Sequence, residues 1–141
     1  MRTILGIDLG TSSVKAMLLD VDGGVVGVKA KDYGVDIPYP GWAEQSPEMW
    51  WDSLVEVLGC LREMYRDAFE AVCAVGYSGQ MHGLVLTGDD GYPVRPAIIW
   101  LDQRAAGADQ RCPAGRRDGT DILQPRQQRI CLSVTAVGER K

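Results

Sequence analysis

Residues 6–13 read Gly6-Ile7-Asp8-Leu9-Gly10-Thr11-Ser12-Ser13, and Lys15 follows two positions later. A glycine turn of this kind lets the backbone approach a phosphate group closely, and the Thr and Ser hydroxyls add hydrogen-bond donors. Asp8 ends an apolar run and suits Mg²⁺, which binds few carboxylates and keeps several waters. Lys15 supplies positive charge that offsets phosphoryl charge. The stretch predicts a phosphate-binding turn, although an ordinary Asp-Gly hairpin and the aspartic-protease signature share its short string.

Three short apolar segments lie around this turn. They cover residues 4–8, 14–20 and 25–31, and Asp22-Gly23-Gly24 separates the last two. Glycines supply the positive φ that tight two-residue turns require, so the second and third segments are expected to form a hairpin. Because short turns join all three segments, the sequence predicts a three-stranded antiparallel meander.

A long helix is predicted after a loop that contains Pro38 and Pro40. Ser46 is placed to cap its first turn through the hydroxyl, and Pro47 suits the first helical position, where no N–H is needed. Seven apolar residues then recur at helical spacing, and we expect this face to pack as core rather than to form a cofactor box. They are Trp50, Leu54, Val57, Leu58, Leu61, Met64 and Tyr65.

Three further strands are predicted before the pattern fails. They cover residues 72–77, 83–87 and 96–100, with a turn at Asp89-Asp90-Gly91 before the last one. In residues 106–141 the apolar side chains recur neither at every second position, as in a strand, nor every 3.6 positions, as in a helix. Only residues 130–137 have faint strand character. We therefore expect one packed partial lobe over residues 1–105 and a tail over residues 106–141 that is disordered or read out of frame.

The composition is that of an ordinary globular protein, with 141 residues of which 45% are hydrophobic and 24% charged. No apolar run approaches the roughly 18–20 residues that span a bilayer, so no membrane partner is expected. Residues 1–105 carry 8 basic and 15 acidic side chains, and this acidic body argues against nucleic acid as a partner. The four cysteines fit neither a zinc pattern nor a disulfide framework, which favours reduced thiols in the cytoplasm.

Four stretches together carry a family resemblance. Residues 4–23 resemble the first phosphate motif of the actin-like ATPase superfamily. The other three stretches are Gly41-Trp42-Ala43-Glu44-Gln45-Ser46-Pro47 with Trp50-Trp51, Ser78-Gly79-Gln80-Met81-His82-Gly83, and Pro96-Ala97-Ile98-Ile99-Trp100 with Asp102 and Arg104. In this order and spacing they are similar to the N-terminal part of the carbohydrate kinase family that includes glycerol kinase and xylulokinase. The Met81-His82 pair favours xylulokinase, since glycerol kinases carry an Arg-Glu pair there.

The resemblance implies a fold and a reaction. The fold is α/β, the ribonuclease H-like N-terminal lobe of an actin-like ATPase, with a mixed sheet that starts as a three-stranded antiparallel meander and has helices packed on it. The reaction uses ATP and Mg²⁺ as cofactors and converts D-xylulose to D-xylulose 5-phosphate. The family's general base is an aspartate in a later segment that this chain does not contain. The chain alone is therefore expected to be inactive, while its longer parent is an enzyme for which a homodimer is one option.

The resemblance also assigns residues to the two substrates. Asp8 is expected to face Mg²⁺ through water. Five residues are expected to face the nucleotide phosphates: Gly10, Thr11, Ser12, Ser13 and Lys15. Six are expected on the sugar side: Gln80, Met81, His82, Trp100, Asp102 and Arg104.

The sugar-side residues make chemical sense, but alternatives stay open. A sugar needs directional partners for its hydroxyls, which His82 offers at either ring nitrogen, and apolar surface for its C–H faces, which Met81 and Trp100 offer. His82 is alternatively an ordinary loop histidine, Trp100 core filler, and Asp102 with Arg104 a simple ion pair. For the whole chain the alternatives are an orphan lobe without turnover, an actin-like or chaperone-type nucleotide binder, and a family member acting on another sugar or polyol.

Overall fold

The computed structural model describes residues 1–106 and 134–135. Its elements in chain order are β1 (Thr3–Leu9), β2 (Ser13–Asp20), β3 (Val25–Asp32), β4 (Glu44–Gln45), α1 (Pro47–Met64), α2 (Arg66–Glu70), β5 (Val72–Gly79), β6 (Ala97–Ile98) and β7 (Val134–Thr135). Neither of the two helices in the described residues is long and apolar enough to cross a bilayer.

The strands form one mixed sheet and one small antiparallel pair. The main sheet has the order β3-β2-β1-β5-β7, in which β1 and β5 run parallel and every other neighbouring pair runs antiparallel. Strands β4 and β6 pair separately. The predicted meander of three antiparallel strands is confirmed. Its second turn closes where the Asp20 N–H donates to the Gly24 carbonyl over 2.8 Å, and Gly23 adopts φ +108°.

The core lies between one face of the meander and α1. Strand β2 alternates, so that Val14, Ala16 and Leu18 are fully buried while the residues between them point to the opposite face. From α1, Val57 and Leu61 pack against these residues in the same buried cluster. Burying each large apolar side chain contributes roughly 1.5–3 kcal/mol to the stability of the fold, so this cluster holds the meander against α1.

The start of α1 confirms one prediction and corrects another. Pro47 occupies the first position of the helix as predicted. Ser46 precedes it, but its side chain makes no capping hydrogen bond. The Ser46 hydroxyl instead donates to the Glu48 carboxylate, which lowers the pKa of Glu48. The predicted role of the Ser46 hydroxyl as a cap was therefore wrong, since its oxygen accepts no backbone N–H of the first helical turn.

The end of α1 differs from the predicted apolar face at one residue. Met64 is 56% exposed, whereas Val57 and Leu61 are buried. Met64 is the last residue of α1, and the chain leaves the helix at Tyr65 (φ −134°, ψ 51°) before the short helix α2.

Strand prediction failed most clearly over residues 83–87. In the described residues this segment forms only isolated bridges, from Leu84 to Ile98 and from Thr87 to Pro93. The strand predicted over residues 96–100 shrinks to Ala97–Ile98 because its only continuous strand partner in the described residues is β4, which has two residues. Both segments lie outside the main sheet and lack the continuous partner that a longer strand needs. The predicted tail falls outside the described residues except at Ala106 and β7, and the boundary at residue 105 stays a prediction.

Candidate functional site

A cleft of about 570 Å³ opens beside the carboxyl ends of β1 and β5. These strands are parallel neighbours, so their ends reach the same edge of the sheet. The cleft is lined by Asp8, Gly10, Thr11, Gly79, Gln80, Met81, His82 and Trp100. The structure thus brings together the glycine turn, the Gln-Met-His segment and the tryptophan, which the sequence holds up to 92 positions apart. Of these eight residues, only Gly79 was not predicted as a site residue.

Asp8 lies at the end of β1 with one oxygen already engaged. The Ser78 hydroxyl donates to Asp8 Oδ1 over 2.6 Å, and the two residues are partners in the parallel ladder. A carboxylate has about four acceptor positions, so Asp8 keeps most of its acceptor capacity for the cleft. Lys15 is its partner on the antiparallel side and shares its sheet face. Sequence reasoning had not assigned a role to Ser78, although it begins the Ser-Gly-Gln-Met-His-Gly segment.

The glycine turn is fixed from behind by a tyrosine. The Gly10 N–H donates to the Ser13 carbonyl over 2.9 Å, and a Cβ on Gly10 would lie only 3.1 Å from that oxygen. Tyr33 donates its hydroxyl to the Gly10 carbonyl over 2.6 Å and its backbone N–H to the Ser12 carbonyl over 2.9 Å. Burial, and then the negative charge of Asp8, raise the pKa of Tyr33. Sequence reasoning missed Tyr33, because no motif singles out a tyrosine after the third strand.

A chain of hydrogen bonds crosses the floor of the cleft. The Trp100 indole N–H donates to Thr11 Oγ1 over 2.9 Å, and Thr11 Oγ1 lies 3.3 Å from Gln80 Oε1. Behind them, Gln80 Nε2 donates to Gln45 Oε1 over 3.0 Å. Trp100 is 55% exposed and lines the cleft, so the core-filler alternative for it was wrong. Gln45 had been quoted only as part of the loop-to-helix segment, without a role.

His82 stands in an unusual backbone conformation at the cleft. Its φ is +61°, and it is the only residue other than glycine with a positive φ in the described part of the chain. Such a conformation costs a residue with a Cβ roughly 1–2 kcal/mol and concentrates at functional sites. Two backbone hydrogen bonds between Leu84 and Ile98, of 2.8 and 3.0 Å, fix the chain just beyond it. His82 and the neighbouring Met81 are both exposed to the cleft.

Asp102 and Arg104 lie outside the cleft lining and bind each other. Arg104 donates to Asp102 Oδ2 and to Glu44 Oε1, each over 2.7 Å, and its guanidinium lies 3.7 Å from the centre of a Trp42 ring. Asp102 also accepts the Ala43 N–H over 2.8 Å. The hydrogen bond from Arg104 is the largest cause that lowers the pKa of Asp102. The ion pair left open by the sequence is therefore present, and it ties the loop before α1 to the turn after β6.

Three predicted phosphate-side residues also lie outside this lining among the described residues: Ser12, Ser13 and Lys15. Ser12 and Ser13 contribute backbone carbonyls that accept hydrogen bonds within the turn. Lys15 is exposed on the sheet face that it shares with Asp8. Their predicted contacts with phosphate stay predictions.

Comparison of the sequence with models of known protein families identifies the family of this chain. The sequence model of the FGGY family of carbohydrate kinases, N-terminal domain, matches residues 3–136. The chain belongs to this family. The predicted family is therefore confirmed, and the cleft described above lies in its N-terminal domain.

The FGGY relatives that the chain matches include several xylulose kinases. That of Lactococcus lactis is 42% identical over 138 residues, which are 98% of this chain and 26% of the relative. That of Escherichia coli is 41% identical over 125 residues, covering 86% of this chain and 25% of the relative. A glycerol kinase of Carboxydothermus hydrogenoformans also matches, at 36% identity over 107 residues. The chain thus spans about a quarter of the length of the curated xylulose kinases that it matches.

The solved structures agree with this assignment. The crystal structure of a xylulose kinase from Brucella ovis superposes with a TM-score of 0.73 at 38% identity, over 78% of this chain and 24% of that one. The predicted fold, the N-terminal lobe of an actin-like ATPase, is confirmed.

Proposed function

We propose that this chain binds the nucleotide phosphates and the sugar in an ATP-dependent xylulose kinase. The reaction transfers the γ-phosphoryl group of ATP to D-xylulose and forms D-xylulose 5-phosphate. The observation that carries the proposal is that one cleft joins the glycine turn with Asp8 to the Gln-Met-His segment with Trp100. A phosphoryl donor and a sugar acceptor need such adjacent sites, because positioning and charge neutralisation supply most of the catalysis of this transfer.

The phosphate side suits MgATP. Among hydrogen bonds within the described residues, none uses the backbone N–H of Thr11 or Ser12, so both can donate to phosphate oxygens. Asp8 presents its carboxylate beside them, and the described residues contain no group of three or more His, Cys, Asp or Glu that could bind a metal. A single carboxylate fits Mg²⁺, which takes its remaining ligands from water and phosphate. When bound, Mg²⁺ offsets the charge that develops on the transferred group.

The sugar side offers both kinds of surface that a sugar needs. Trp100 exposes its ring, and its N–H bond to Thr11 fixes the ring plane against the C–H face of a ligand. Met81 adds flexible apolar surface next to it. His82 has a left-handed backbone conformation (φ +61°), and its ring nitrogens can bind sugar hydroxyls as donor or acceptor. Asp102 and Arg104 bind Ala43 and Glu44, and these bonds hold β4, which contains Gln45, against the turn that follows Trp100.

Two alternatives remain next to this proposal. The match to a glycerol kinase favours a second candidate, a kinase of the same family that acts on another sugar or polyol. The other alternative is an orphan lobe that binds ligands without turnover, since the chain spans only about a quarter of its relatives. A cytoplasmic location and a homodimeric parent stay predictions.

Titration of the purified 141-residue chain tests the binding proposal. MgATP, D-xylulose and glycerol are added separately while ¹H–¹⁵N spectra are recorded. We expect MgATP to shift the amide signals of Thr11 and Ser12, and D-xylulose to shift the indole signal of Trp100 more strongly than glycerol does. The indole signal of Trp51, which lies on the exposed side of α1, is the internal control. Glycerol binding as tight as D-xylulose binding would overturn the substrate assignment.

Turnover needs a second experiment. The chain replaces the aligned segment of the Lactococcus lactis xylulose kinase, and ADP release is measured in the presence of D-xylulose. We expect turnover in this chimera and none from the 141-residue chain alone. General acid–base catalysis contributes about 10²–10⁴-fold, and the resemblance places the family's general base beyond this chain. Xylulose-dependent ADP release by the unextended chain at ordinary kinase rates would contradict the predicted inactivity.

A further inference from the structure

Gln45 is a buried amide with every hydrogen-bonding position in use. Its side chain has no exposed surface. Its Nε2 donates to the carbonyls of Thr11, over 2.8 Å, and of Gly34, over 2.7 Å. Its Oε1 accepts the indole N–H of Trp50 over 3.1 Å and Nε2 of Gln80 over 3.0 Å. Two donors and two acceptor positions are all that a primary amide offers, so Gln45 has no hydrogen-bonding capacity left.

The partners of Gln45 fix which way its amide faces. An indole N–H only donates, and a backbone carbonyl only accepts. Oε1 must therefore face Trp50, and Nε2 must face the carbonyls of Thr11 and Gly34. Since Oε1 accepts, Gln80 must offer its Nε2 to Gln45 and is left with its Oε1 toward Thr11. A flipped Gln45 would place its buried Oε1 against the carbonyl oxygens of Thr11 and Gly34, acceptor against acceptor, and an unsatisfied buried amide is costly.

The same constraint reaches the hydroxyl of Thr11. Thr11 Oγ1 accepts the N–H of Trp100 over 2.9 Å and lies 3.3 Å from Gln80 Oε1. Because Gln80 Oε1 only accepts, the Thr11 proton points to it. What Thr11 Oγ1 has left is one acceptor position. It therefore suits a ligand hydroxyl, which can donate, and does not suit a phosphate oxygen, which only accepts.

We propose that Gln45 is a positioning residue that orients Gln80 and, through it, the hydroxyl of Thr11 in the cleft. The consequence is that the Thr11 side chain accepts a hydrogen bond from the sugar, while its backbone N–H serves the phosphate side. This inference rests on the proposed function for the identity of the ligand. The orientation itself is a property of the folded chain and can be tested without any ligand.

The first test reads the network in the 141-residue chain by ¹H–¹⁵N spectra. Trp100 makes no hydrogen bond to Gln45, and its indole N–H bonds Thr11, so its signal reports a change at Gln45 through Gln80 and Thr11. In Gln45→Met, which keeps the length and volume without the hydrogen bonds, we expect the Trp100 signal to shift and broaden. Trp50→Phe is the matched control, since it removes one bond to the same Gln45 oxygen and leaves the Gln80 bond in place. There the Trp100 signal should stay. A folded Gln45→Met chain with an unmoved Trp100 signal overturns the proposal.

A second variant covers the case in which Gln45→Met does not fold. Gln80 is only partly buried, so Gln80→Leu removes the link without emptying the core. Because Gln45 joins Gln80 to Trp50, we expect the Trp50 indole signal to shift although Gln80 and Trp50 share no direct hydrogen bond. The Trp100 signal should shift as well, since Thr11 loses its acceptor. If neither indole signal moves in the folded variant, Gln45 does not position Gln80.

Kinetics of the chimera separate positioning from stability. Gln45→Met and Gln80→Leu should each lower kcat/KM for D-xylulose by about 5- to 150-fold, the range expected for one lost buried hydrogen bond. If Gln45 acts through Gln80, the double variant should be no worse than the more impaired single variant, measured per folded molecule. Multiplying losses would overturn the proposal. Absence of any xylulose turnover in the unsubstituted chimera would overturn the proposed function, whereas the indole signals would still decide the role of Gln45.

Discussion

Tyr33→Phe removes one hydroxyl and little else. The lost bond is the 2.6 Å hydrogen bond from Tyr33 to the Gly10 carbonyl. The backbone bond from Tyr33 N–H to the Ser12 carbonyl stays, because it does not involve the side chain. The ring of Tyr33, which packs against the core cluster, also stays. Any effect of the substitution therefore belongs to the support of the glycine turn.

The expected loss of stability follows from this single bond. A hydrogen bond of this kind contributes a net of about 0.5–1.5 kcal/mol to the free energy of unfolding. The Gly10 carbonyl borders an open cleft where water can replace the hydroxyl, so we expect about 1 kcal/mol rather than the full cost of a buried unpaired acceptor. For a domain of about 100 residues this lowers Tm by roughly 4–8 °C. Urea unfolding of the 141-residue chain measures the difference directly.

The pH dependence of the free energy of unfolding provides a second test of Tyr33→Phe. Burial and the charge of Asp8 raise the pKa of Tyr33 above the ordinary value of 10.0. Because the pKa is raised in the folded state, the protonated Tyr33 contributes its full stabilisation below pH 10.0. This stabilisation is lost as the pH rises through the folded-state pKa. The stability difference between the unsubstituted chain and Tyr33→Phe should therefore shrink above pH 10, because only the former carries the ionising group.

A matched tyrosine provides the control. Tyr39 is 61% exposed and packs edge-on against Trp42, so Tyr39→Phe keeps that ring contact and should leave the free energy of unfolding at pH 7 unchanged. If Tyr33→Phe also unfolds within about 0.3 kcal/mol of the unsubstituted chain at pH 7, the bond to Gly10 does not support the turn. That threshold lies below the smallest net contribution expected of a hydrogen bond.

Three further predictions concern His82 in the cleft, Gly27 next to the core, and the ion pair between Asp102 and Arg104. In the chimera, His82→Ala should lower kcat/KM for D-xylulose by about 5- to 150-fold while the KM for MgATP stays within twofold; equal losses for both substrates with a lower Tm would make His82 structural. Gly27→Ala should cost about 1–3 kcal/mol of stability, because its Cβ would lie 2.3 Å from the Tyr65 ring, whereas Gly24→Ala, with no atom within 4 Å, should not; equal melting temperatures for the two would refute this packing argument. The folded-state pKa of Asp102 is lowered below the ordinary value of 3.8, so its charge stabilises the chain fully above pH 3.8, and this contribution is lost as the pH falls through the folded-state pKa. In Asp102→Asn, the free energy of unfolding should therefore fall less steeply below pH 3.8; an unchanged dependence on pH would contradict the role of the Asp102–Arg104 pair.

The sequence by itself determined the local elements. Alternation in residues 14–20 and the Asp-Gly-Gly turn specify adjacent strands, because period 2 and positive φ are local properties of the chain. The helical spacing from Trp50 to Leu61, after Pro47, likewise specifies α1. Most of the cleft was also predictable, since the glycine turn and the Gln-Met-His segment belong to motifs that the family resemblance identifies.

Only the tertiary structure decided which polar groups meet. Tyr33 reaches Gly10 across 23 positions, and Gln45 reaches Gln80 across 35. Arg104, predicted on the sugar side together with Asp102, donates to Glu44, and Asp102 accepts the Ala43 N–H, because the β4–β6 pairing brings their turn against the segment before α1. Periodicity reports which face of an element is buried, but a hydrogen-bond partner depends on where two distant elements cross. That crossing is set by packing of the whole core, and no local stretch of the chain encodes it.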